Sequence, residues 1–507
     1  MEYHLTKKNI SQPRDTLDTV SEQAVDMDIT LPDYCPDIER ILSCTLIPKI
    51  YMANVSADRL NIEGGSCVRI LYLDGEQGCI RSYEYSQPFS ESLPLKSPAA
   101  DCAVYTDTKP EYINCRALSP RKLSLHGAFS LYAKITEPCE LDYYTCRDEG
   151  DLQVRGEKTE ACALSGVCTE NISVQEDIPL SGKDVGSILS HRLTARITEL
   201  KAIHNKMMLS AELKLELLYL SGADRKEAAC MSYSLPLSRV IDCEGAEEDA
   251  VIDGELSVMS YDIRLSDDAL DGSSLLSLDA KLCFCAQCYE EQEIEVMCDA
   301  FSTDRDVEMR IQPFSCRGKT LCRSYTDIGK ANIQLDEEIG KVLDVHCEKI
   351  AASCVTADGM LMVRAKLCVG ILFENTEGET RYTERDAEFV YKPDTEGCDE
   401  VVRLKAAVDS LSYRLTDSRK IELRAELCYR LTLCRRVSCS AVTAVSADDD
   451  APEREKDGSL ILYYTDKGDN VWDISKRFRS RPADIIAENG LDGDDVASGV
   501  MLLIPSA

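Results

Sequence analysis

The sequence has little histidine, little basic charge and no long apolar run. Its five histidines, among 507 residues, stand apart from one another, and none lies beside a recognisable nucleophile motif. The pair Gly64-Gly65 is followed by neither the lysine nor the helix that a phosphate-binding loop needs. These absences predict that the chain is not an enzyme and that it holds no cofactor.

The charge balance is strongly acidic. There are 57 lysines and arginines against 90 aspartates and glutamates, which gives a net charge of −33. This argues against nucleic-acid binding, because neutralising phosphates takes clustered basic residues. No apolar stretch reaches the about 18 residues that a membrane-spanning helix needs, and the N-terminus lacks the apolar centre of a secretory signal. The chain is therefore expected to be cytosolic, with no transmembrane segment.

Cysteine is abundant, with 25 residues that all lie between Cys35 and Cys439. Their odd number and strand-like alternation favour reduced core residues over a disulfide framework. The densest run is CFCAQC at residues 283–288. A zinc site needs about four ligands, usually as two pairs, and no second Cys-x-x-Cys lies nearby. A structural role is the favoured interpretation, no metal is predicted, and a metal cluster is the alternative.

Two apolar patterns return roughly every 150 residues. The first ends in two apolar residues and an aromatic one, and it occurs at residues 60–72, 207–219 and 361–373. The second is built on Leu-x-Leu or Ile-x-Leu, and it occurs at residues 121–125, 276–278 and 419–423. Short strands with turn signals at this spacing are typical of sandwiches and barrels. Three tandem β-sandwich or barrel-like domains are therefore predicted, at residues 1–165, 166–320 and 321–445.

Three further local features are expected. A short helix should open each domain, at residues 37–42, 180–189 and 336–343, because apolar residues there recur at helical spacing. The pair Gly64-Gly65 predicts a β-bulge. Residues 446–458 are acidic and contain proline and glycine, which predicts a linker that lets the terminal domain swing.

Residues 459–507 form a distinct module that contains no cysteine. Asn470 is placed to cap a helix, Pro482 fits the first turn of a second helix, and Asn489-Gly490 can end that helix with a left-handed cap. The predicted order is a strand at 460–465, a helix that carries Val471, Trp472, Ile474 and Phe478, a helix at 483–488 and a strand at 500–504. The module is thus predicted to be β-α-α-β.

This module resembles a LysM domain. The resemblance is carried by residues 468–474 (GDNVWDI), 485–486 (II), 489–491 (NGL) and 499–505 (GVMLLIP). It implies a groove between two loops, which binds N-acetylglucosamine chains in wall-binding relatives. Lys467 and Asn470 stand where the family carries a proline and a small hydroxyl residue. Both lie in one wall of that groove, which weakens the prediction of sugar binding.

The repeated region resembles the SPOCS domain of spore-forming Firmicutes. Residues 31–42 (LPDYCPDIERIL) and the apolar pattern of residues 60–72 carry the resemblance. Several such domains before one LysM domain is the layout of SipL-type spore coat morphogenesis proteins. The resemblance implies a protein of the mother-cell cytoplasm, at the forespore surface. There it binds stage IV sporulation protein A, the coat ATPase, and helps to attach the coat; other coat proteins are further expected partners.

The resemblance thus implies a non-enzymatic scaffold whose LysM domain contacts the coat ATPase. Trp472, Asp473 and Lys476 are the candidate contact, because an aromatic beside charged groups suits a binding hot spot; a core anchor is the alternative for the tryptophan. The rival function is a cell-wall protein whose LysM domain binds peptidoglycan. Its candidate groove residues, for which turn and cap roles are the alternative, are Gly468, Asp469, Asn470, Val471, Ile486, Asn489, Gly490 and Leu491.

Overall fold

The structure is a computed structural model that describes residues 2–56, 58–96, 102–145, 150–180, 185–221, 227–267, 274–357, 359–447 and 460–505. Its described part consists mainly of antiparallel β-strands, grouped in three units of six strands and a small terminal module. We call the three units repeat 1, repeat 2 and repeat 3. The predicted mainly-β fold, with repeated units and a terminal β-α-α-β module, is confirmed.

The strands of each repeat follow the same order along the chain. Repeat 1 consists of β1 (Thr6–Thr30), β2 (Ile38–Ser56), β3 (Arg59–Asp74), β4 (Ile80–Pro94), β5 (Ala103–Ser119) and β6 (Lys122–Thr145). Repeat 2 consists of β7 (Leu152–Pro179), β8 (Ile188–Ile203), β9 (Lys206–Ser221), β10 (Glu227–Asp242), β11 (Val251–Asp267) and β12 (Ser274–Ser302). Repeat 3 consists of β13 (Val307–Gln334), β14 (Ile339–Ala357), β15 (Met360–Asn375), β16 (Thr380–Tyr391), β17 (Glu400–Asp417) and β18 (Lys420–Ala447). The terminal module consists of β19 (Leu460–Tyr464), α1 (Val471–Phe478), α2 (Pro482–Asn489) and β20 (Met501–Pro505).

Each repeat contains two three-stranded sheets. The inner three-strand meanders have the orders β2-β3-β4, β8-β9-β10 and β14-β15-β16. The second sheets pair the first strand of the repeat with the last, in the orders β1-β6-β5, β7-β12-β11 and β13-β18-β17. The two patterns that recur in the sequence are the middle strands of these sheets. A middle strand is covered by a neighbour on each edge, so its apolar residues are the ones that packing constrains most.

The two sheets of a repeat face each other across a hydrophobic core. In repeat 2, Leu209 and Leu213 of the middle strand β9 are buried in the same cluster as Leu278 and Phe284 of the middle strand β12. These residues alternate along their strands, since every second side chain of a strand points to the same face. The alternation therefore builds a sandwich in each repeat.

The three repeats do not lie in a row; they pack around a shared centre. Leu71, Leu218 and Leu372 are equivalent residues of the three repeats, and they meet in one buried cluster. Leu217 points into the core of repeat 2, whereas the adjacent Leu218 points into this shared cluster. The end of each inner middle strand is therefore buried on both faces. Two-sided burial explains why the recurring pattern ends in an unbroken apolar run.

A second shared cluster lies beyond the three sandwiches. The strands β1, β6, β7, β12, β13 and β18 extend past the sandwiches. There Tyr143 of repeat 1, Val296 of repeat 2 and Phe314 of repeat 3 are buried together. Gln12 of repeat 1 lies close by: its amide donates to the carbonyl of Cys162 (2.8 Å) and accepts from the backbone N–H of Arg317 (2.9 Å). One side chain thus joins all three repeats.

Buried ion pairs tie the repeats together at a further point. Arg403 of repeat 3 pairs with Asp253 and Glu255 of repeat 2, and its guanidinium lies 4.3 Å from the ring centre of Tyr105 in repeat 1. The carboxylate of Asp253 is almost fully buried. A buried charge is tolerated only where it is paired, so separating the repeats would leave these groups without partners.

His346 is a third polar junction. Its Nδ1 lies 2.6 Å from the carboxylate of Asp344, and its Nε2 lies 2.8 Å from that of Glu348. Asp344 also accepts from the thiol of Cys230 in repeat 2, and Glu348 accepts from the hydroxyl of Thr45 in repeat 1. The three groups are therefore held where all the repeats meet.

The pKa values of this cluster favour charged groups near neutral pH. Burial alone would lower the pKa of His346, but the hydrogen bonds and charges of Asp344 and Glu348 outweigh burial and raise it to about 9. Burial alone would raise the carboxyl pKa values. The hydrogen bond and charge of His346 instead lower that of Glu348 to about 2, and they also lower that of Asp344. An imidazolium thus lies between two carboxylates.

The three predicted opening helices are wrong. Residues 38–42 and 339–343 are the first residues of β2 and β14, and the described part of 180–189 is non-helical. Bulges are the reason: the register of β2 shifts after Ile38 and again after Ile41, and that of β14 shifts after Ile339 and after Val342. Each bulge adds one residue, so inward positions recur at a spacing of three, as they do in a helix.

The bulge predicted at Gly64-Gly65 occurs on the neighbouring strand. The register shifts between Ile50 and Met52 of β2, so the additional residue is Tyr51. Gly64 lies opposite this bulge, where an added Cβ would come 2.2 Å from the backbone oxygen of Lys49. A residue with a side chain would not fit there, which explains the glycine.

The strand pairing also bears on the domain limits. Residues 165 and 166 lie inside β7, and residues 320 and 321 lie inside β13. We therefore propose limits at 6–145, 152–302 and 307–447 in place of the predicted ones, because these ranges hold complete sets of paired strands. The predicted linker, 446–458, lies outside the described residues from 448 onward.

Replacing Leu218 with alanine is expected to destabilise the three repeats together. The side chain is buried in the cluster that all three repeats share, so its loss should lower the free energy of unfolding by about 2–4 kcal/mol. Urea unfolding followed by far-UV circular dichroism measures this change. Val240→Ala, at an exposed position of the same sheet, is the control and should change little. Two separate transitions in the variant, with one at the wild-type midpoint, would contradict a shared centre.

Stability should depend on pH through His346. Since its pKa in the folded chain is about 9, above its ordinary 6.5, the stabilisation is complete below about pH 6.5 and is lost as the pH rises through 9. The carboxylates act oppositely, because their lowered pKa values make their contribution disappear as the pH falls toward 2. Between pH 7 and 9.5 the free energy of unfolding of His346→Gln should therefore fall less than that of the wild type. If the free energies of unfolding of the two proteins change equally with pH, His346 is not the group responsible.

Candidate functional site

The terminal module is a small β-α-α-β unit with its own core. Strands β19 and β20 pair antiparallel, α2 packs against β20, and α1 packs against α2. The core consists of Val471, Ile474, Ile485, Leu502 and Ile504, which are all buried. The predicted order of elements is thus confirmed. Val471, a candidate groove residue, is a core residue.

The predicted cap of α1 and the predicted start and end of α2 are confirmed. The side-chain oxygen of Asn470 accepts from the backbone N–H of Asp473 (2.8 Å), so Asn470 caps α1. Its amide also donates to the Asp473 carboxylate (2.7 Å). Pro482 opens α2, and Gly490 ends it in a left-handed conformation with φ of 62°. Asp473, a candidate contact residue, therefore takes part in the cap.

The loop before α1 is held by its own side chains. The carboxylate of Asp469 accepts from the backbone N–H of Asp466 (2.8 Å) and from the hydroxyl of Tyr463 (2.7 Å). These two hydrogen bonds lower the pKa of Asp469. Gly468 has a φ of 98°, a conformation that a side chain rarely adopts. Both candidate groove residues thus shape the turn.

The two candidate groove loops meet through Asp494. Its backbone oxygen accepts from the N–H of Val471 (2.8 Å), and its carboxylate accepts from the N–H of Trp472 (2.7 Å). Asn470 and Asp495 form a backbone bridge alongside. The loops are therefore neighbours, but these two backbone donors already have partners. The sequence offered no signal for Asp494, which is one of several acidic residues in that loop.

The other candidate groove residues support the module from within. The amide nitrogen of Asn489 donates to the carbonyls of Ile485 (2.8 Å) and Leu503 (2.6 Å), and its oxygen accepts from the Leu503 N–H (2.7 Å). Asn489 thus ties α2 to β20. Ile486 and Leu491 are partly buried against the module core.

Trp472 packs against repeat 2. Its indole N–H donates to the carboxylate of Asp299 (2.9 Å), and its ring meets that of Phe301 edge to face, with centres 5.1 Å apart. The guanidinium of Arg155 lies 6.0 Å from the ring centre of Trp472. Only 6% of Trp472 remains exposed. The residue is therefore an anchor between the terminal module and the end of β12.

Three basic residues extend this contact. Lys476 donates to both carboxylate oxygens of Asp299 (2.7 and 2.9 Å) and Arg479 pairs with Asp306. Arg481 donates to the backbone oxygen of Gly150 (3.2 Å). We call Trp472, Lys476, Arg479 and Arg481 the docking face of the module. The structure thus brings two candidate contact residues, Trp472 and Lys476, onto one surface.

One further ion pair completes the contact, with the basic residue on repeat 2 and the acidic residue on the module. Arg155 of β7 pairs with Asp494 of the module (3.2 Å), which also accepts from the Trp472 N–H. Sequence reasoning missed Arg155, Asp299, Phe301 and Asp306. Each lies more than 150 residues before the module along the chain, and no local pattern marks it.

The module also has an exposed apolar surface, on the outer side of the β19–β20 pair. It consists of Leu460, Leu462, Tyr464, Val500 and Met501. These side chains point away from the helices, whereas their neighbours in the strands belong to the module core.

The cysteine run at 283–288 lies in β12 and alternates between two faces. Phe284 and Cys288 belong to the core of repeat 2, and Cys283 and Cys285 lie on the opposite side. Burial raises the pKa of the Cys285 thiol to about 12. Among the described residues no cluster has the geometry of a metal site, and every described cysteine has a free thiol.

Comparison with protein families matches two domain types. A family described as SipL, SPOCS domain matches residues 37–118 and 184–266, and the LysM domain family matches residues 463–505. The chain carries SPOCS domains and a C-terminal LysM domain. SPOCS and LysM domains are non-catalytic binding modules, and no catalytic domain was identified. The SipL match indicates a role in spore coat morphogenesis and an association with the spore coat.

The SPOCS matches have a clear structural meaning. They cover β2–β5 of repeat 1 and β8–β11 of repeat 2, that is, the inner sheet and the strand after it. Strands β14–β17 repeat this order and pairing in repeat 3. Repeat 3 thus has the topology of a SPOCS domain although the family match does not include it.

No curated protein and no solved structure matched the chain. In the part of the chain that the structure describes, no helix has the length and apolar character needed to cross a membrane.

Replacing Asn470 with alanine should destabilise the LysM domain by about 1 kcal/mol, because α1 loses its side-chain cap. Asn470→Ser keeps a capping oxygen and should retain most of the stability. Unfolding in urea followed by the fluorescence of Trp472, the only tryptophan, measures both variants. Equal losses in the two variants would show that the cap is not what Asn470 contributes.

Proposed function

We propose that this chain is a non-enzymatic scaffold of spore coat assembly, whose LysM domain tethers it to the stage IV sporulation protein A-like coat ATPase at the forespore surface. The SipL and LysM matches support the setting. The observation that carries the proposal is the contact that the docking face makes. This face consists of an aromatic ring and basic side chains, and in this structure it binds Asp299 and Phe301 of the same chain.

The three repeats supply the other half of the scaffold. Because they share buried clusters and ion pairs, they present their surfaces in a fixed arrangement. Such a platform can hold other coat proteins at set positions. A polymerised partner offers many copies of each site, so weak individual contacts add through a high effective concentration. We place this scaffold in the mother-cell cytoplasm.

Peptidoglycan binding is the second candidate function, and the LysM match favours it. The geometry of the loops supports it less. The backbone donors of Val471 and Trp472 are taken by Asp494, and both polar ends of the Asn489 amide are engaged inside the domain. A glycan would have to displace these hydrogen bonds to use the same groups.

Co-sedimentation with the polymerised coat ATPase, and separately with purified peptidoglycan, distinguishes the two functions. Lys476→Glu reverses the charge on the docking face and should weaken binding to the ATPase at least tenfold, while peptidoglycan binding stays negligible. Trp472→Ala should have a similar effect. Lys467→Glu, outside the docking face, is the charge-matched control and should bind as the wild type does. Binding to peptidoglycan but not to the ATPase would overturn the scaffold proposal.

A further inference from the structure

The docking face of the LysM domain is occupied within the chain. A single carboxylate, that of Asp299, accepts from both Trp472 and Lys476. Asp299 and Phe301 are two residues apart on β12, so their side chains leave the strand on the same side. The strand therefore presents a carboxylate and an aromatic ring side by side. The carboxylate contacts the N–H of Trp472, and the aromatic ring contacts its ring.

The charges of the two sides are complementary. The LysM domain has five basic residues, Lys467, Lys476, Arg477, Arg479 and Arg481, and four of them lie between residues 476 and 481. Opposite the docking face are Asp299 and Asp306, in a chain of net charge −33. The face is thus a local concentration of positive charge, suited to carboxylates.

The contact combines one buried aromatic pair with partly exposed ion pairs. Trp472 and Phe301 are buried, whereas 41% of the Lys476 side chain and 72% of the Asp306 side chain are accessible. Partly exposed ion pairs are weak and are screened by salt. Interfaces between domains of one chain resemble transient protein–protein interfaces, so motion of the LysM domain relative to repeat 2 is expected.

We propose that the docking face recognises a carboxylate beside an aromatic ring on its protein partner, and that Asp299 and Phe301 occupy this site in the free chain. This inference rests on the proposed function, since it concerns the same face. The partner and β12 then compete for Trp472 and Lys476. Only those molecules in which the docking face has separated from β12 can bind the partner. The contact therefore lowers the apparent affinity in proportion to the fraction of such molecules. The docking face thereby stays covered by Asp299 and Phe301 until a partner rich in such sites displaces β12.

The first test uses the fluorescence of Trp472 in the full chain, where it is the only tryptophan. Asp299→Ala removes the acceptor of the indole N–H, so the emission should shift to longer wavelength and acrylamide should quench it more readily. Asp279→Ala, on the same strand but far from the LysM domain, should leave both unchanged. Asp306→Asn removes an exposed partner of Arg479 and should give a smaller shift without any effect on folding. Wild-type emission in both docking variants would overturn the proposal.

The second test measures binding of the full-length variants to the polymerised coat ATPase. Loss of the hydrogen bonds to a charged acceptor should open the contact, and Asp299→Ala is expected to bind about tenfold more tightly than the wild type. If Lys476→Glu loses binding while Asp299→Ala and Asp306→Asn match the wild type, the competition is refuted and the proposed function stands. If Lys476→Glu binds as the wild type does, the proposed function itself fails.

Discussion

The structure depends above all on the packing of three repeats around a shared centre. Equivalent leucines meet at one end of that centre, and the extended strands of the second sheets meet at the other. Outside these clusters, Gln12, Arg403 and the two carboxylates that flank His346 contact residues of other repeats. Buried polar groups of this kind lose much more when a partner is removed than they gain when it is present. The repeats are therefore expected to fold and unfold as one body.

This arrangement also creates the place where the LysM domain rests. Gly150 precedes β7, Asp299 and Phe301 end β12, and Asp306 precedes β13, so the docking site is assembled from both ends of repeat 2. The LysM domain is thus positioned by the joints between repeats. Because the LysM domain packs against the repeats, binding of a partner can control whether the docking face is accessible.

Sequence patterns predicted the middle strands and the LysM elements well, and both successes have a local cause. A middle strand covered on both edges must be apolar along its length, so its pattern survives in each repeat. In the LysM domain, Asn470, Pro482 and Gly490 act on backbone groups within a few residues. The opening helices failed for an equally local reason. Bulges in β2 and β14 set inward residues three apart, and a periodicity of three is typical of helices.

The sequence by itself determined the mainly-β character, the threefold repetition, the LysM domain and its caps, because each of these depends on contacts between neighbouring residues or on regular alternation. It also marked Trp472 and Lys476 as candidates for a contact. Only the tertiary structure decided that the repeats surround a common centre and that Asp299 occupies the docking face. Those contacts join residues more than 100 positions apart, and no spacing in the chain records which carboxylate, among 90 acidic residues, will meet the single tryptophan.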